Sequence, residues 1–296
     1  MSTSKSIAVV GARAIGIPIL HALLTGPTHP NVIVLTGPES KKKLPDDLSS
    51  APLISVDYTD VAALTALFKE LSIQVVISTV PPPGYKTAQH ALADAANASV
   101  SVKLFAPSEW GVSTEGAYEE GEENLFAAKD EVAGDDLASL VHANISDMAL
   151  RISEINWSAV HTILHDRVHI HGKGETPFTV TSQEDIGGFV AHVITSLPPT
   201  SPELVNASLR IQGQQLTLRE YARIINKPTV TVAEAESLPA NTDEEKNFKT
   251  FLQAQVEGGM ANTGWDRKPE KEIEKAAGSA NKLWEGHIWQ TMESTT

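Results

Sequence analysis

Short apolar runs alternate along the first hundred residues with segments whose apolar side chains recur at helical spacing. Continuous apolar runs are typical of strands that are buried on both faces of a sheet. These runs lie at residues 7–10, 32–35, 53–56, 75–77 and 100–105. The helical segments lie at residues 14–24, 60–71 and 85–96, the second with Thr59 or Asp60 as its N-cap. Alternating strands and helices predict a parallel sheet covered by helices, which is a doubly wound α/β fold.

The alternation weakens in the second half of the chain. Residues 158–164 and 209–211 have the apolar character of late strands that rejoin the sheet. We therefore expect a first domain at residues 1–164, with strands near 203–213 returning to it. Residues 165–296 are expected to form a smaller α/β lobe.

Helical spacing returns towards the C-terminus. Residues 216–225 carry a helical pattern with Thr217 as the capping residue. From residue 276 onward, apolar side chains at helical intervals predict a further helix. Those side chains are Leu283, Trp284, Ile288 and Met292.

Composition allows a folded core and argues against nucleic acid as a partner. Hydrophobic residues make up 41% of the 296 residues, and a chain of this length buries roughly three quarters of its unfolded surface. Acidic side chains outnumber basic ones by 37 to 23, giving a formal net charge of −14. Such a surface repels phosphate backbones, so we expect no nucleic-acid ligand.

The chain has no cysteine, which excludes disulfides, thiolate metal sites and cysteine nucleophiles and fits an intracellular protein. The longest apolar stretch, residues 7–24, contains Gly11, Arg13, Gly16 and Pro18 and lacks a convincing signal-peptide cleavage site. We therefore expect a cytoplasmic protein without a membrane span.

A glycine-containing turn joins the first predicted strand to the first predicted helix. Gly11-Ala12-Arg13-Ala14-Ile15-Gly16 keeps the first and third glycines of the dinucleotide fingerprint and has Arg13 in the middle position. In such a turn the backbone approaches a diphosphate at the N-terminus of the helix. The pattern predicts a dinucleotide site, and a purely structural strand-to-helix turn is the alternative.

The end of the second strand indicates which dinucleotide binds. NAD sites usually carry Asp or Glu there, whereas this chain has Thr36, with Glu39 only nearby. Arg13 and Lys41 can instead supply cations to a 2′-phosphate. We therefore predict NADP(H), and we interpret the lysines at 42–43 as solvated.

A resemblance to a known family is carried by the segment that follows the fifth predicted strand. Pro107-Ser108-Glu109-Trp110-Gly111 resembles the P-S-E-F-G signature of isoflavone reductase-like and NmrA-like atypical short-chain dehydrogenases, with Trp110 in place of Phe. Thr181-Ser182-Gln183-Glu184-Asp185-Ile186-Gly187 is similar to the family's T-x-x-D-I-G segment. The resemblance covers about residues 5–225 and implies a Rossmann-like NADP(H)-binding domain with a variable substrate lobe.

The glycine turn, the charge pattern and the resemblance together predict which residues contact the coenzyme. Residues 79–81 are expected to shape the nicotinamide side of the site. The full set is Gly11, Ala12, Arg13, Ile15, Gly16, Thr36, Lys41, Ser78, Thr79, Val80, Pro81, Pro107 and Ser108.

The resemblance also points to a catalytic residue. Ordinary short-chain dehydrogenases carry a Tyr four residues before the catalytic Lys, and counting back from Lys129 gives Leu125. The isoflavone reductase-like branch also lacks this Tyr, so the resemblance implies that Lys129 acts alone as the proton donor or acceptor. A solvated Lys on a helix surface is the alternative interpretation.

Four histidines, His161, His165, His169 and His171, raise the question of a metal site. The first pair has helical spacing and the second pair suits a strand, so the four do not share one geometry and we expect no metal. The residues predicted to line the substrate cavity are Glu109, Trp110, His161 and His165.

These features favour an NADP(H)-dependent oxidoreductase that acts on a small, uncharged aromatic or carbonyl-containing molecule. The missing Tyr leaves open an NmrA-like redox sensor, which binds NADP(H) without turnover and regulates a protein partner. A scaffold that has lost coenzyme binding is a third reading, because Arg13 carries a side chain where the turn usually has none. The C-terminal tryptophans leave a homo-oligomer open.

Overall fold

The computed structural model of this chain describes residues 5–40, 43–81, 84, 87–111, 114–115, 117, 125–132, 143–146, 149–150, 162–164, 166–232, 238, 240, 242–267, 270–273 and 275–295. In chain order its elements are β1 (Ser6–Val10), α1 (Gly16–Thr25), β2 (Asn31–Thr36), β3 (Leu53–Ser55), α2 (Val61–Glu70), β4 (Val75–Ser78), α3 (Ala88–Ala98), β5 (Leu104–Ala106), α4 (Leu125–Glu131), β6 (Ala143–Ser146), β7 (Ala149–Leu150), β8 (Thr162–Leu164), β9 (Arg167–His171), β10 (Phe178–Ser182), α5 (Gln183–Ser196), β11 (Ala207–Arg210), β12 (Gln214–Leu216), α6 (Leu218–Ile224), β13 (Thr229–Val232), α7 (Asp243–Glu257), β14 (Trp265–Asp266), β15 (Lys271–Glu272) and α8 (Met292–Thr295).

The first five strands form a parallel sheet in the order β3-β2-β1-β4-β5. β1 lies at its centre, where Ala8 pairs with Ile33 on one side and Val76 on the other. The apolar runs form strands because both faces of this sheet are covered, so that Ile7 and Val9 are as fully buried as Ala8. The predicted parallel α/β fold is confirmed.

Helices α2 and α3 cover one face of the sheet. Leu64 and Phe68 of α2 join Leu92 of α3 in a buried cluster with side chains from the sheet. The N-terminus of α2 is closed by the carboxylate of Asp60, which accepts a hydrogen bond from the backbone N–H of Ala63 at 2.9 Å. Of the two predicted caps, Asp60 is therefore the one that the helix uses.

Helices α1 and α5 approach each other closely. A Cβ on Gly187 of α5 would lie 2.5 Å from the carbonyl oxygen of Pro18 in α1, so a larger residue would force the backbones apart. The ammonium of Lys5 donates hydrogen bonds to the carbonyl oxygens of Ile194 and Leu197 at the end of α5. It thereby satisfies carbonyl groups that the end of a helix leaves unpaired.

The described residues divide into two compact units that alternate along the chain. One contains the described parts of Met1–Trp110, Thr114–Ile145 and Ile186–Leu209. The other contains those of Gly111–Ser113, Ser146–Asp185 and Arg210–Thr296. A single boundary after residue 164 does not reproduce this division, because the chain passes from one unit to the other several times.

The late strands do not rejoin the five-stranded sheet in the part of the chain that the structure describes. β11 pairs with β6, and β8 lies beside β9 in a separate sheet. β8 pairs antiparallel with β9, with Leu164 opposite Arg167, and Asp166 before β9 has a φ of +66°. Residues 207–209 nevertheless belong to the unit that contains the parallel sheet, and the expected return of strands 158–164 and 203–213 stays a prediction.

The C-terminal tail is not one helix, contrary to the prediction from residue 276. Its described helical parts are a 3₁₀ turn at Asn281–Leu283 and the short α8. Gly278 and Gly286 have φ values of +65° and +80°, and this left-handed conformation interrupts a right-handed helix. Met292 is nevertheless buried in the core of the second unit. In this tail, apolar side chains at helical intervals are therefore carried by turns and short helical segments rather than by one long helix.

Candidate active site

The turn between β1 and α1 is closed by backbone contacts that only glycine permits. Gly11 has a φ of +89°, and its N–H donates a hydrogen bond to the carbonyl oxygen of Leu35 at 2.9 Å. The hydroxyl of Thr79 lies 2.9 Å and 3.0 Å from the carbonyl oxygens of Val10 and Gly11. A Cβ on Gly16 would lie only 2.4 Å from the Gly11 oxygen. The turn lies at the ends of the neighbouring strands β1 and β4, between which the strand order reverses. Parallel α/β sheets commonly bind ligands at such a position.

The N-terminus of α1 is suited to an anion. Ile15 at the N-cap position provides no side-chain hydrogen bond, and the first turn contains no acidic residue. The first N–H groups of a helix have no partner within the helix and carry partial positive charge. Arg13, which directly precedes this end, is exposed. A diphosphate group would therefore be stabilised at this helix end.

A cavity of about 300 Å³ is lined by the same turn, within the size range of small-molecule sites. Among the described residues, its walls carry the cations Arg13 and Lys43 and the carboxylate Glu39. The predicted coenzyme residues that line it are Gly11, Ala12, Arg13, Thr36, Thr79 and Pro81. The other lining residues are Gly37, Pro38, Ser40, Leu44, Leu53 and Tyr58.

Sequence reasoning missed part of this lining. Lys43 lines the cavity, although the pattern suggests a solvated loop, and Leu53 and Tyr58 line it too. The phenol of Tyr58 donates a hydrogen bond to the carbonyl oxygen of Leu35 at 3.0 Å, and burial raises its pKa to about 12. Its place just after the third strand was the available signal, because parallel strands end at one edge of a sheet. Lys41 lies outside the described residues.

Six predicted coenzyme residues are buried and absent from the cavity lining. The oxygen Oε1 of Gln89 accepts hydrogen bonds from the hydroxyl of Ser78 at 2.8 Å and the N–H of Ser108 at 2.9 Å. The hydroxyl of Ser108 donates to the carbonyl oxygen of Val80 at 3.0 Å. These bonds hold the ends of β4 and β5 together, and coenzyme contact stays a prediction for the six. They are Ile15, Gly16, Ser78, Val80, Pro107 and Ser108.

Helix α4 brings Lys129 to the segment after β5. Its Nζ lies 3.8 Å from Oε2 of Glu109, and the two side chains are only 8% and 2% exposed. The hydroxyl of Thr114 donates a hydrogen bond to the same Oε2 at 2.9 Å. Burial raises the pKa of Glu109, against the weaker opposing effects of Lys129 and Thr114. The predicted catalytic Lys and a predicted substrate residue thus form one buried pair.

Trp110, the departure from the family signature, anchors this segment. Its Nε1–H donates a hydrogen bond to the carbonyl oxygen of Ser78 at 2.8 Å. Phe at this position has no donor, so the bond belongs to this chain and not to the signature. Contact of Trp110 with a substrate stays a prediction.

The histidines give no metal geometry that the structure can describe. His161 and His165 lie outside the described residues. His169 and His171 lie on β9, and the Nδ1 atom of each is buried without a hydrogen-bond partner among the described atoms. Within the described ranges, no group of three His, Cys, Asp or Glu side chains is placed to hold a metal ion.

Solved structures match this chain, whereas neither a protein-family model nor a curated protein sequence does. Leucoanthocyanidin reductase from Vitis vinifera, solved with NADPH, has a TM-score of 0.72 at 19% identity, over 97% of each chain. AtPrR2, solved with NADP+ and (+)-pinoresinol, has a TM-score of 0.72 at 17% identity, over 99% of this chain and 98% of its own. An isoflavone reductase has a TM-score of 0.70 at 18% identity, over 99% and 98%.

This chain has the isoflavone reductase-like fold. The fold implied by the signature after β5 is therefore confirmed. In the part of the chain that the structure describes, no helix is both long and apolar enough to cross a membrane.

Proposed function

We propose that this chain is an NADP(H)-dependent reductase of a small, uncharged aromatic or carbonyl-containing molecule. The observation that carries the proposal is the cavity at the glycine turn, which Arg13 and Lys43 line. The structural relatives solved with NADPH or NADP+ support the same coenzyme. The relative solved with (+)-pinoresinol supports an aromatic substrate.

The residues present fit NADP(H). Gly11 and Gly16 have no room for a Cβ, so glycine at both positions permits the close packing of strand and helix that a dinucleotide-binding turn requires. Arg13 lines the cavity, which supports a role in binding the 2′-phosphate together with Lys43 through charge-assisted hydrogen bonds. Tyr58 offers an aromatic surface for the adenine. When bound, the coenzyme supplies the hydride.

Lys129 is the proposed catalytic residue, and its burial is the main support. It lies on α4, three residues before Val132, which directly follows this helix, and both residues are buried. Lys is almost never buried unless it is paired, so a merely solvated side chain does not explain this position. In the proposed reaction Nζ gives a proton to the substrate atom that becomes negative when the hydride arrives.

Coenzyme binding tests the cavity assignment. We expect Arg13→Ala and Lys43→Ala each to weaken NADPH binding about tenfold, because a charge-assisted hydrogen bond contributes about 1.5 kcal/mol or more. NADH binding should change much less, since NADH lacks the 2′-phosphate. Lys69→Ala, an exposed lysine at the end of α2, is the matched control. Equal losses for NADPH and NADH would contradict the assignment.

Turnover tests catalysis. We expect oxidation of NADPH with one or more aromatic ketones, enones or benzylic ethers, and a loss of about 100-fold or more in Lys129→Ala, the usual size of a general-acid contribution. NADPH binding itself should persist in this variant. Turnover that is unchanged in Lys129→Ala would refute the catalytic role.

A second candidate function is an NmrA-like sensor that binds NADP(H) and acts through a protein partner. The observation that favours it is Leu125 at the start of α4, where ordinary short-chain dehydrogenases carry the catalytic Tyr. The two functions differ in one result. A sensor binds NADPH but does not consume it with any substrate of the panel.

A further inference from the structure

The buried pair of Glu109 and Lys129 suggests a role for the carboxylate that the proposed reaction does not use. We propose that Glu109 is a positioning residue that keeps Lys129 protonated and holds its Nζ in place, with Thr114 fixing the carboxylate. This inference rests on the proposed function of Lys129.

Glu109 is held on both sides along the chain. The N–H of Ser108 donates to Gln89 at 2.9 Å, and the indole of Trp110 donates to Ser78 at 2.8 Å. Because both neighbours are anchored, the backbone of Glu109 has little freedom. The hydroxyl of Thr114 then fixes Oε2, the oxygen that faces Lys129.

The charges around the pair make Lys129 the principal partner of Glu109. Among the described residues, the charged groups that act on Glu109 are Lys129, which favours its carboxylate form, and Asp130, which opposes it. On the same helix, Glu131 is 37% exposed, and its carboxylate lies 3.9 Å from Nε2 of His90. Glu131 is thus a second carboxylate near Lys129 in sequence, but in a more solvated place.

One oxygen of Glu109 distinguishes this pair from a structural ion pair. Oε1 is buried and has no hydrogen-bond partner among the described atoms. Buried ion pairs that serve stability alone normally satisfy both carboxylate oxygens. Since no described group satisfies Oε1, the ammonium of Lys129 and the hydroxyl of Thr114 are the described groups that favour the carboxylate of Glu109.

The consequence for the reaction is a ready proton donor. Burial alone favours the neutral form of Glu109, whereas its ionised carboxylate and the ammonium of Lys129, 3.8 Å apart in a water-poor site, favour each other's charged forms. In the proposed step one N–H bond of Lys129 breaks and an O–H or C–H bond forms on the reduced substrate. The resulting amine regains its proton from solvent when the product leaves, and the pair is restored.

The test follows the protonation of Lys129 in the full chain without coenzyme or substrate. The carbon-13 resonance of the Lys129 Cε, assigned by its loss in Lys129→Arg, is titrated with pH. In Glu109→Gln we expect the midpoint to fall by about one pH unit or more, a tenfold change in the neutral fraction, because an opposite charge at this distance has that effect. Glu109→Asp should recover most of the shift, and Thr114→Val should show a smaller fall.

Glu131→Gln is the matched control, because it removes an equal charge from the same helix. We expect it to leave the midpoint of Lys129 unchanged. Equal midpoints in wild type and Glu109→Gln, with the fold checked by circular dichroism, would overturn the inference. So would equal falls in Glu109→Gln and Glu131→Gln.

Activity supplies the second readout. In Glu109→Gln, the fall of kcat/KM at high pH should move to lower pH by the same amount as the midpoint. If the midpoint responds but wild type consumes no NADPH, the pairing stands and the reductase proposal fails. If turnover requires Lys129 but the titration midpoint of Lys129 is unchanged in Glu109→Gln, the reductase proposal stands and this inference fails.

Discussion

Replacing Gly16 by alanine tests how closely the backbone is packed at the glycine turn. The new Cβ would lie 2.4 Å from the carbonyl oxygen of Gly11 and 2.8 Å from the hydroxyl of Thr79. The carbonyl oxygen of Gly11 belongs to the backbone and cannot rotate away as a side chain can, so the start of α1 must move. The shift would displace the N–H groups that are proposed to bind the diphosphate.

Two opposing effects determine how much Gly16→Ala changes the free energy of unfolding. Alanine is favoured over glycine within a helix by about 1 kcal/mol. Forcing a methyl group into a filled space costs about 1–3 kcal/mol, and a backbone obstacle puts Gly16→Ala at or above the upper end. We therefore expect a net loss of about 2 kcal/mol in the free energy of unfolding, together with a large loss of NADPH affinity.

Urea unfolding and calorimetric titration with NADPH measure these two effects. The control is Gly37→Ala in the same cavity lining, where among the described residues a Cβ would meet the ring of Tyr58 at an ordinary 3.6 Å. That variant should be as stable as wild type or more stable by up to about 1 kcal/mol. Equal stability and unchanged NADPH affinity in Gly16→Ala would refute the close packing of the turn.

Three further predictions concern single side chains. Glu39→Gln should strengthen NADPH binding by up to about fivefold, because it removes a carboxylate from the cavity wall that holds the cations. Salt should reduce this gain, and titrations at two salt concentrations check it. Trp110→Phe should lower the free energy of unfolding by about 1 kcal/mol through loss of the bond to Ser78, and an unchanged urea midpoint would contradict it. Tyr58 and Tyr221, whose burial raises each pKa from 10.0 to about 12, should remain mostly protonated at pH 11, which the phenolate absorbance of the wild type compared with Tyr58→Phe and Tyr221→Phe reports. Since the folded state retains these protons, stability should fall as the pH rises from 10 to 12. Ionisation of Tyr58 and Tyr221 at pH 11 to the extent of a free phenol would contradict their burial.

Much of the fold could be predicted because its signals are local. The apolar runs before residue 106 form the five strands of the parallel sheet. Thr217 also caps α6 as predicted, and its partner Glu220 completes a capping box. The tail failed because apolar spacing does not distinguish a helix from turns broken by Gly278 and Gly286. Strand partners in the second half depend on contacts distant in sequence, which periodicity does not contain.

The candidate site shows the same division. The glycine turn and Arg13 were predictable because strand, turn and helix are consecutive in sequence. Lys43 and Tyr58 reach the same cavity from other loops, so a single local motif does not reveal them. The burial of Lys129 beside Glu109 depends on how α4 packs, which the charge pattern alone does not show.

Calorimetric titration of the wild-type chain with NADPH and with NADH tests the central claim most directly. The claim is that the turn from Gly11 to Gly16 and the cations beside it form an NADP(H) site. It predicts saturable binding of NADPH, with at least about tenfold weaker binding of NADH, the contribution of one charge-assisted contact to the 2′-phosphate. No heat of binding with either coenzyme, or a preference for NADH, would contradict it.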